Sequence, residues 1–371
     1  MRRPRDRFVI ALWFALSWMV SAAGEEPAVF QVMLADPVAP DAVPQPYEVV
    51  ALSDADGSPT GYQLAIHVNV CSEGLCRMVH VTLAWDALGF YQRLDCLSDT
   101  PLTRRQHEPF TPDDYRKLDR ILRNRESALG RLPLQALVDK QPVDLDGWSG
   151  ATPQFVAESV VEGAAFTTWT LWRWANGQIV PQLRAATVQR ATPEFVRRLL
   201  RSENQREVGF ALRHLLDPQR IGSRLVDDAL RAVENTGQAE YVAMALDYAI
   251  GAGGDQRRLH DRLIALMARL DDQTNRPLLE YFAAQPELPF ETLDALSGIL
   301  EHLSYFQVHR LLLLLEKQEV TATVEANVAR LLDHENFSIA RRAYEHLQKQ
   351  ASDSRTQQQL AAFRNRNRDR L

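Results

Sequence analysis

Only three cysteines occur in 371 residues, too few for a disulfide-framework miniprotein, and no second Cys/His pair completes a zinc site. Basic excess is missing too: 42 Lys and Arg stand against 48 Asp and Glu, a net charge of −6. A protein built to neutralise nucleic-acid phosphates carries the opposite balance, which argues against a nucleic-acid partner. Glycine and proline, 17 and 19 residues, are too sparse for a collagen-like chain. No Ser-His-Asp, Walker-type or zinc-protease pattern stands out. What is present is an ordinary globular composition, 46% hydrophobic and 24% charged. At about 100–200 residues per domain it leaves room for two or three domains.

The first segment reads as an address. Arg2, Arg3, Arg5 and Arg7 precede an uncharged apolar run over residues 8–20, and Ser21-Ala22-Ala23 supplies small residues for cleavage. This is the pattern of a secretory signal peptide over residues 1–23. The run is shorter than the ~20 residues of a typical span, so no stable transmembrane segment is expected after cleavage. Removing four Arg and one Asp takes the net charge from −6 to −9. The expected location is periplasmic or secreted. There, Cys71 and Cys76, separated by Ser72-Glu73-Gly74-Leu75, are candidates for a local disulfide that pins a turn. Cys96 is left over and expected to be buried.

Composition divides the rest. All three Cys, and the five Trp outside the leader (Trp85, Trp148, Trp169, Trp172 and Trp174), precede residue 175. Residues 24–46 are expected to form a Pro-rich linker, since prolines across 36–46 oppose regular helix and central strand. Residues 62–95 then read as a β-meander. Leu64, Ile66, Val68 and Val70 form one apolar stripe, Val79, Val81, Leu83 and Trp85 the next, and Asp86-Ala87-Leu88-Gly89 supplies a turn. Thr111 followed by Pro112, Asp113 and Asp114 marks a helix start, with Tyr115, Leu118, Ile121 and Leu122 on its apolar face. An α+β domain is expected over residues 47–190.

From Thr192 the period is helical. Leu199-Leu200-Arg201-Ser202-Glu203-Asn204, running on to Ala211 and His214-Leu215, matches Leu331-Leu332-Asp333-His334-Glu335-Asn336, running on to Ala343 and His346-Leu347. The same residues recur at seven positions, offset by 132. Three units of about 44 residues, the HEAT or armadillo length, would account for that offset. An all-α HEAT/armadillo-like repeat domain is therefore expected over residues 191–350. A basic tail over 351–371, with Arg364, Arg366, Arg368 and Arg370, is expected to be solvated.

The stretch that carries chemistry is Asp146-Gly147-Trp148-Ser149-Gly150-Ala151-Thr152. It resembles the flavinylation motif of the FMN-binding domain family, found in the C subunit of sodium-pumping NADH:quinone reductase and the G subunit of the Rnf complex. That pattern is Asp-Gly/Ala-x-Ser/Thr-Gly-Ala/Ser-Thr, and every constrained position matches. Outside the motif, over roughly residues 47–180, only the order of elements is similar. The resemblance implies FMN attached through a phosphoester to Thr152, installed by a flavin transferase that uses FAD as donor. It implies an exported flavoprotein that transfers electrons between partner redox proteins, rather than an enzyme acting on a small substrate. Gly150 and Ala151 leave room for a phosphate and a docking enzyme, Asp146 can hold the turn or orient the Thr hydroxyl, and Ser149 completes the cofactor-binding candidates of the motif. One departure is Pro153, where the family usually continues with Ser or Thr. It removes one N–H and biases Thr152 towards extended backbone. The alternative is a secreted, non-catalytic scaffold that retains the fold without cofactor, its repeats binding another protein.

Trp148 and the segment Trp169-Thr170-Leu171-Trp172-Arg173-Trp174 are candidates for flavin stacking, although such segments more often build a core. His67 and His80 fall on neighbouring strands where they can face one another. With no third ligand fixed by spacing, they and His107 read as ordinary, partly exposed histidines.

Overall fold

A computed structural model describes residues 28–69, 78–97, 100–104, 107–138, 158–215, 222–350 and 353–371. The chain divides into two compact units, Met1–Thr187 and Val188–Leu371. The first is α+β and the second all-α.

The first unit is built on a five-stranded antiparallel meander in the order β1 (Ala28–Leu34), β2 (Gln45–Ser53), β3 (Pro59–Val68), β4 (Val79–Asp86) and β5 (Tyr91–Cys96). The register pairs Leu64 with Leu83, Ile66 with Val81 and Val68 with Val79, so the two apolar stripes lie side by side on one buried face. Tyr62 pairs with Trp85 at the end of this row. Gly61 is required beside it, because a Cβ there would meet the Trp85 carbonyl oxygen at 2.5 Å. In the β4–β5 turn, Asp86 Oδ1 accepts the N–H groups of Leu88 and Phe90 at 2.9 and 2.8 Å, and Gly89 takes φ 73°.

The buried face is covered by α1 (Pro112–Arg123), the short α2 (Gln135–Val138), α3 (Ala165–Asn176) and α4 (Ile179–Arg190). The start of α1 is a capping box. Thr111 Oγ1 accepts from Asp114 N, and Asp114 Oδ2 accepts from Thr111 N at 2.8 Å. The described tryptophans are core: Trp85 donates to the Ala175 carbonyl at 2.7 Å, Trp169 to Leu132 O and Trp172 to Asn124 O, both at 2.9 Å. Each indole thus buries its ring without losing its hydrogen bond.

Residues 24–46 are not simply a linker, because Ala28–Leu34 is the first strand. Val32 and Leu34 alternate into the core, and β-branched and aromatic residues outweigh the nearby prolines. Pro37, Pro40 and Pro44 fall in the β1–β2 connection. Pro46 lies in the overhang of β2, which pairs with β1 there but with β3 only from Val49. A proline without its N–H is tolerated at such a place.

The second unit contains α5 (Pro193–Leu200), α6 (Gln205–Phe210), α7 (Val226–Ala232), α8 (Ala239–Gly251), α9 (Gln256–Met267), α10 (Arg276–Ala283), α11 (Phe290–Gly298), α12 (Tyr305–Leu315), α13 (Ala322–Arg330), α14 (Phe337–Gln350) and α15 (Ser354–Arg366). From α7 to α15, each helix packs on the one two places later, which gives two interleaved layers. Helices of the second layer begin at Gln205, Ala239, Arg276, Tyr305 and Phe337. The 132-residue offset therefore spans four hairpins of about 33 residues, not three of 44. The matched asparagines occupy one position in the hairpin: Asn204 Oδ1 accepts from Arg206 N at 3.0 Å and Asn336 Oδ1 from Ser338 N at 2.9 Å. Both open a second-layer helix.

Most of the supposed solvated tail is α15. Asp353 caps it, Leu360 and Phe363 are buried, and Phe363 packs against Phe337 and Tyr344. Its arginines point elsewhere, Arg366 to Asp333 at 2.7 Å and Arg370 over the Phe337 ring at 3.7 Å. Two apolar residues a helical turn apart outweigh the basic composition. Among the described residues, no helix is long and apolar enough to cross a membrane.

Candidate functional site

Asp146, Ser149, Gly150, Ala151 and Thr152 lie outside the described residues, as do Trp148, Pro153, Cys71 and Cys76. The chain on either side of the motif is described. On the N-terminal side, α2 packs on α3 and buries Leu137. On the C-terminal side, Val160 and Val161 are buried and Val161 N donates to Thr168 Oγ1 at 3.1 Å. Both described flanks thus meet α3.

Near this base, a cleft of about 930 Å³ runs between β5 and α1, with Glu162 on its rim. Its charged lining is largely neutralised. Arg93 pairs with Asp95 at 2.8 Å, Arg104 binds the buried Asp114, and Arg116 binds Asp113. The Arg104 guanidinium and the Thr111 cap hold the Asp114 carboxyl below its usual range, against a burial cost that acts upwards. Tyr91 donates to Asp119 at 3.2 Å, and burial followed by that carboxylate pushes its phenol up. Cys96 beside the cleft is a half-buried free thiol pushed up to about 11, first by burial and then by Asp95. It is a poor nucleophile at neutral pH.

A second cavity, of about 210 Å³, opens between the residues after β1 and the α3–α4 junction. Arg173 enters it from α3, its guanidinium 5.0 Å from the Trp169 ring centre and 6.0 Å from that of Trp172. Sequence reasoning passed over this residue, though a signal was there. Arg173 is the one charge in the Ala165–Asn176 helix, and no acid stands three or four residues away.

His67 and His80 are directly opposite in the register and stack, with ring centres 4.6 Å apart and planes at 19°. They lie on the face of the sheet away from the core. His107 is the one non-glycine residue with positive φ, 62°, among those described. Among the described residues, no group of three or more His, Cys, Asp or Glu side chains is arranged to hold a metal ion.

Compared with known proteins, the chain matches no family model, and none of the curated proteins matches it.

Proposed function

We propose that the protein is an exported flavoprotein, with FMN joined covalently to Thr152, that passes electrons between partner redox proteins. The observation that carries this reading is the strict heptapeptide from Asp146 to Thr152. The fold supports it in outline: an antiparallel sheet is covered on one face by helices, and the described chain before and after the motif meets α3. Space also supports it, since the cleft between β5 and α1 has the volume of a cofactor site. Bound FMN supplies the electron transfer. The chain's own part is to anchor it, where Thr152 provides the hydroxyl oxygen of the phosphoester and Gly150 and Ala151 keep the approach clear for the transferase.

The second unit is read as a helical repeat array that docks partners, with hairpins shorter than the HEAT or armadillo length. Pro153 favours the competing reading, a cofactor-free scaffold, because it removes an N–H at the site where a phosphate would sit. Co-expression with an exported flavin transferase separates the two. The flavoprotein reading expects in-gel flavin fluorescence and a mass increase equal to FMN minus water, both absent in Thr152→Ala. A wild-type chain that stays dark, beside a modified control protein, leaves the scaffold.

A further inference from the structure

Arg173 is a partly buried cation without an anion to meet it. Its Nε is buried and has no hydrogen-bond partner, and Nη2 makes only a long 3.4 Å bond to the Leu132 carbonyl. None of the ion pairs among the described residues includes it, and burial lowers its pKa with no carboxylate opposing. Arg104 and Arg342 are treated differently: Arg104 has Asp114, and Arg342 has Glu316 at 2.7 Å. Stacking on Trp169 recovers part of the lost hydration, since a guanidinium is attracted to an indole face. It does not supply hydrogen-bond acceptors, of which a guanidinium can engage five donors' worth.

The cavity beside Arg173 defines what can fill that role. Most of its lining is apolar or aromatic: Leu34, Pro37, Pro40, Trp169, Trp174 and Ile179. Of the other polar residues that line it, Gln178 is engaged through Oε1 with Ala35 N at 3.1 Å, and Asp36 accepts from Val38 N at 2.9 Å. Asp36 is exposed at the mouth, so it biases an entering anion to place its charge at the Arg173 side. A volume of about 210 Å³ is the liquid share of about seven waters. That is below the ~300 Å³ at which drug-sized pockets begin, and three fused flavin rings do not fit. A hydrated inorganic ion would leave the indole and proline walls unused.

We propose that this cavity is a binding site for a small, single-ring aromatic carboxylate. The carboxylate accepts from the free guanidinium N–H groups of Arg173, and the ring lies against Trp169 and Trp174. Charge-assisted bonds of this kind are the strong ones, and the apolar walls contribute by burying the ring. Its lining shares no residue with the cleft between β5 and α1, and the proposal does not depend on whether Thr152 is modified.

Benzoate is the probe, with neutral benzamide as its isostere, each titrated into the full-length protein at constant ionic strength. Tryptophan fluorescence and thermal unfolding are the readouts. The expected result is saturable binding of benzoate with a raised unfolding temperature, weakened at least about tenfold for benzamide and for Arg173→Gln. Equal binding of benzoate and benzamide by the wild type overturns the proposal, and this comparison does not depend on the variant folding. So does unchanged benzoate affinity in a folded Arg173→Gln protein, or no saturation by wild type up to about 10 mM, the weak end of specific recognition.

Discussion

Replacing Phe363 by alanine asks whether the C-terminal residues are part of the fold. The side chain is 2% exposed, its ring centre 5.2 Å from that of Tyr344 and 6.4 Å from that of Phe337. Truncating a phenylalanine so enclosed removes its transfer free energy and leaves a cavity, which costs about 3–5 kcal/mol in a core. The end of the array can relax over the gap, so a loss somewhat below that range, about 2–3 kcal/mol, is expected here. Urea unfolding followed by far-ultraviolet circular dichroism reports it, since the second unit holds most of the helix. Amide exchange in α14, which packs against α15, should rise in parallel. Asn365→Ala, an exposed change on the same helix, serves as the control and should stay within about 0.5 kcal/mol. A Phe363→Ala loss below about 0.5 kcal/mol would refute the packing and return residues 351–371 to a solvated tail.

Three further outcomes follow from named contacts. Thr111→Ala removes the cap of α1 and should cost about 1 kcal/mol in urea unfolding of the first unit, with Thr111→Ser close to wild type. Gly61→Ala forces a Cβ against the Trp85 carbonyl and should destabilise by about 1–3 kcal/mol, more than an alanine at the open Gly298. Acid should weaken the second unit in two stages. Burial holds the His346 imidazole below its usual value, so the unfolded state takes up a proton first and stability falls as pH drops below about 6.5. Glu316, ion-paired with Arg342, titrates below its usual value, so its contribution is full above about pH 4.5 and is lost as pH falls through the depressed value. His346→Gln should flatten the first stage in a series of urea midpoints against pH, and an unchanged slope between pH 6.5 and 5 would count against it.

The meander was legible because its two central strands alternate: Leu64 and Ile66 share one face of β3, Val81 and Leu83 one face of β4, and burying both stripes together sets the register. The α1 start was equally plain, since Thr111-Pro112-Asp113-Asp114 satisfies capping chemistry within four residues. β1 was hidden by the prolines that follow it, and only pairing with β2 shows that its apolar residues are shared with the core. Seven identities 132 residues apart fixed the offset but not its divisor. That needed the helix starts, because Leu and Ala periodicity looks the same in a hairpin of 33 residues and in one of 44. Arg173 escaped notice because sequence displays a residue's neighbours along the helix and not the acid that tertiary packing fails to bring. Strand alternation allowed His67 and His80 to face one another, and the observed register stacks them.

The central claim is the covalent flavin, and peptide mass mapping tests it most directly. Protein co-expressed with an exported flavin transferase is digested, and the peptide containing Asp146 to Thr152 is fragmented. The account predicts FMN minus water on Thr152, and unmodified peptide in Thr152→Ala. An unmodified wild-type peptide, in a preparation where a control flavoprotein is fully labelled, would contradict it.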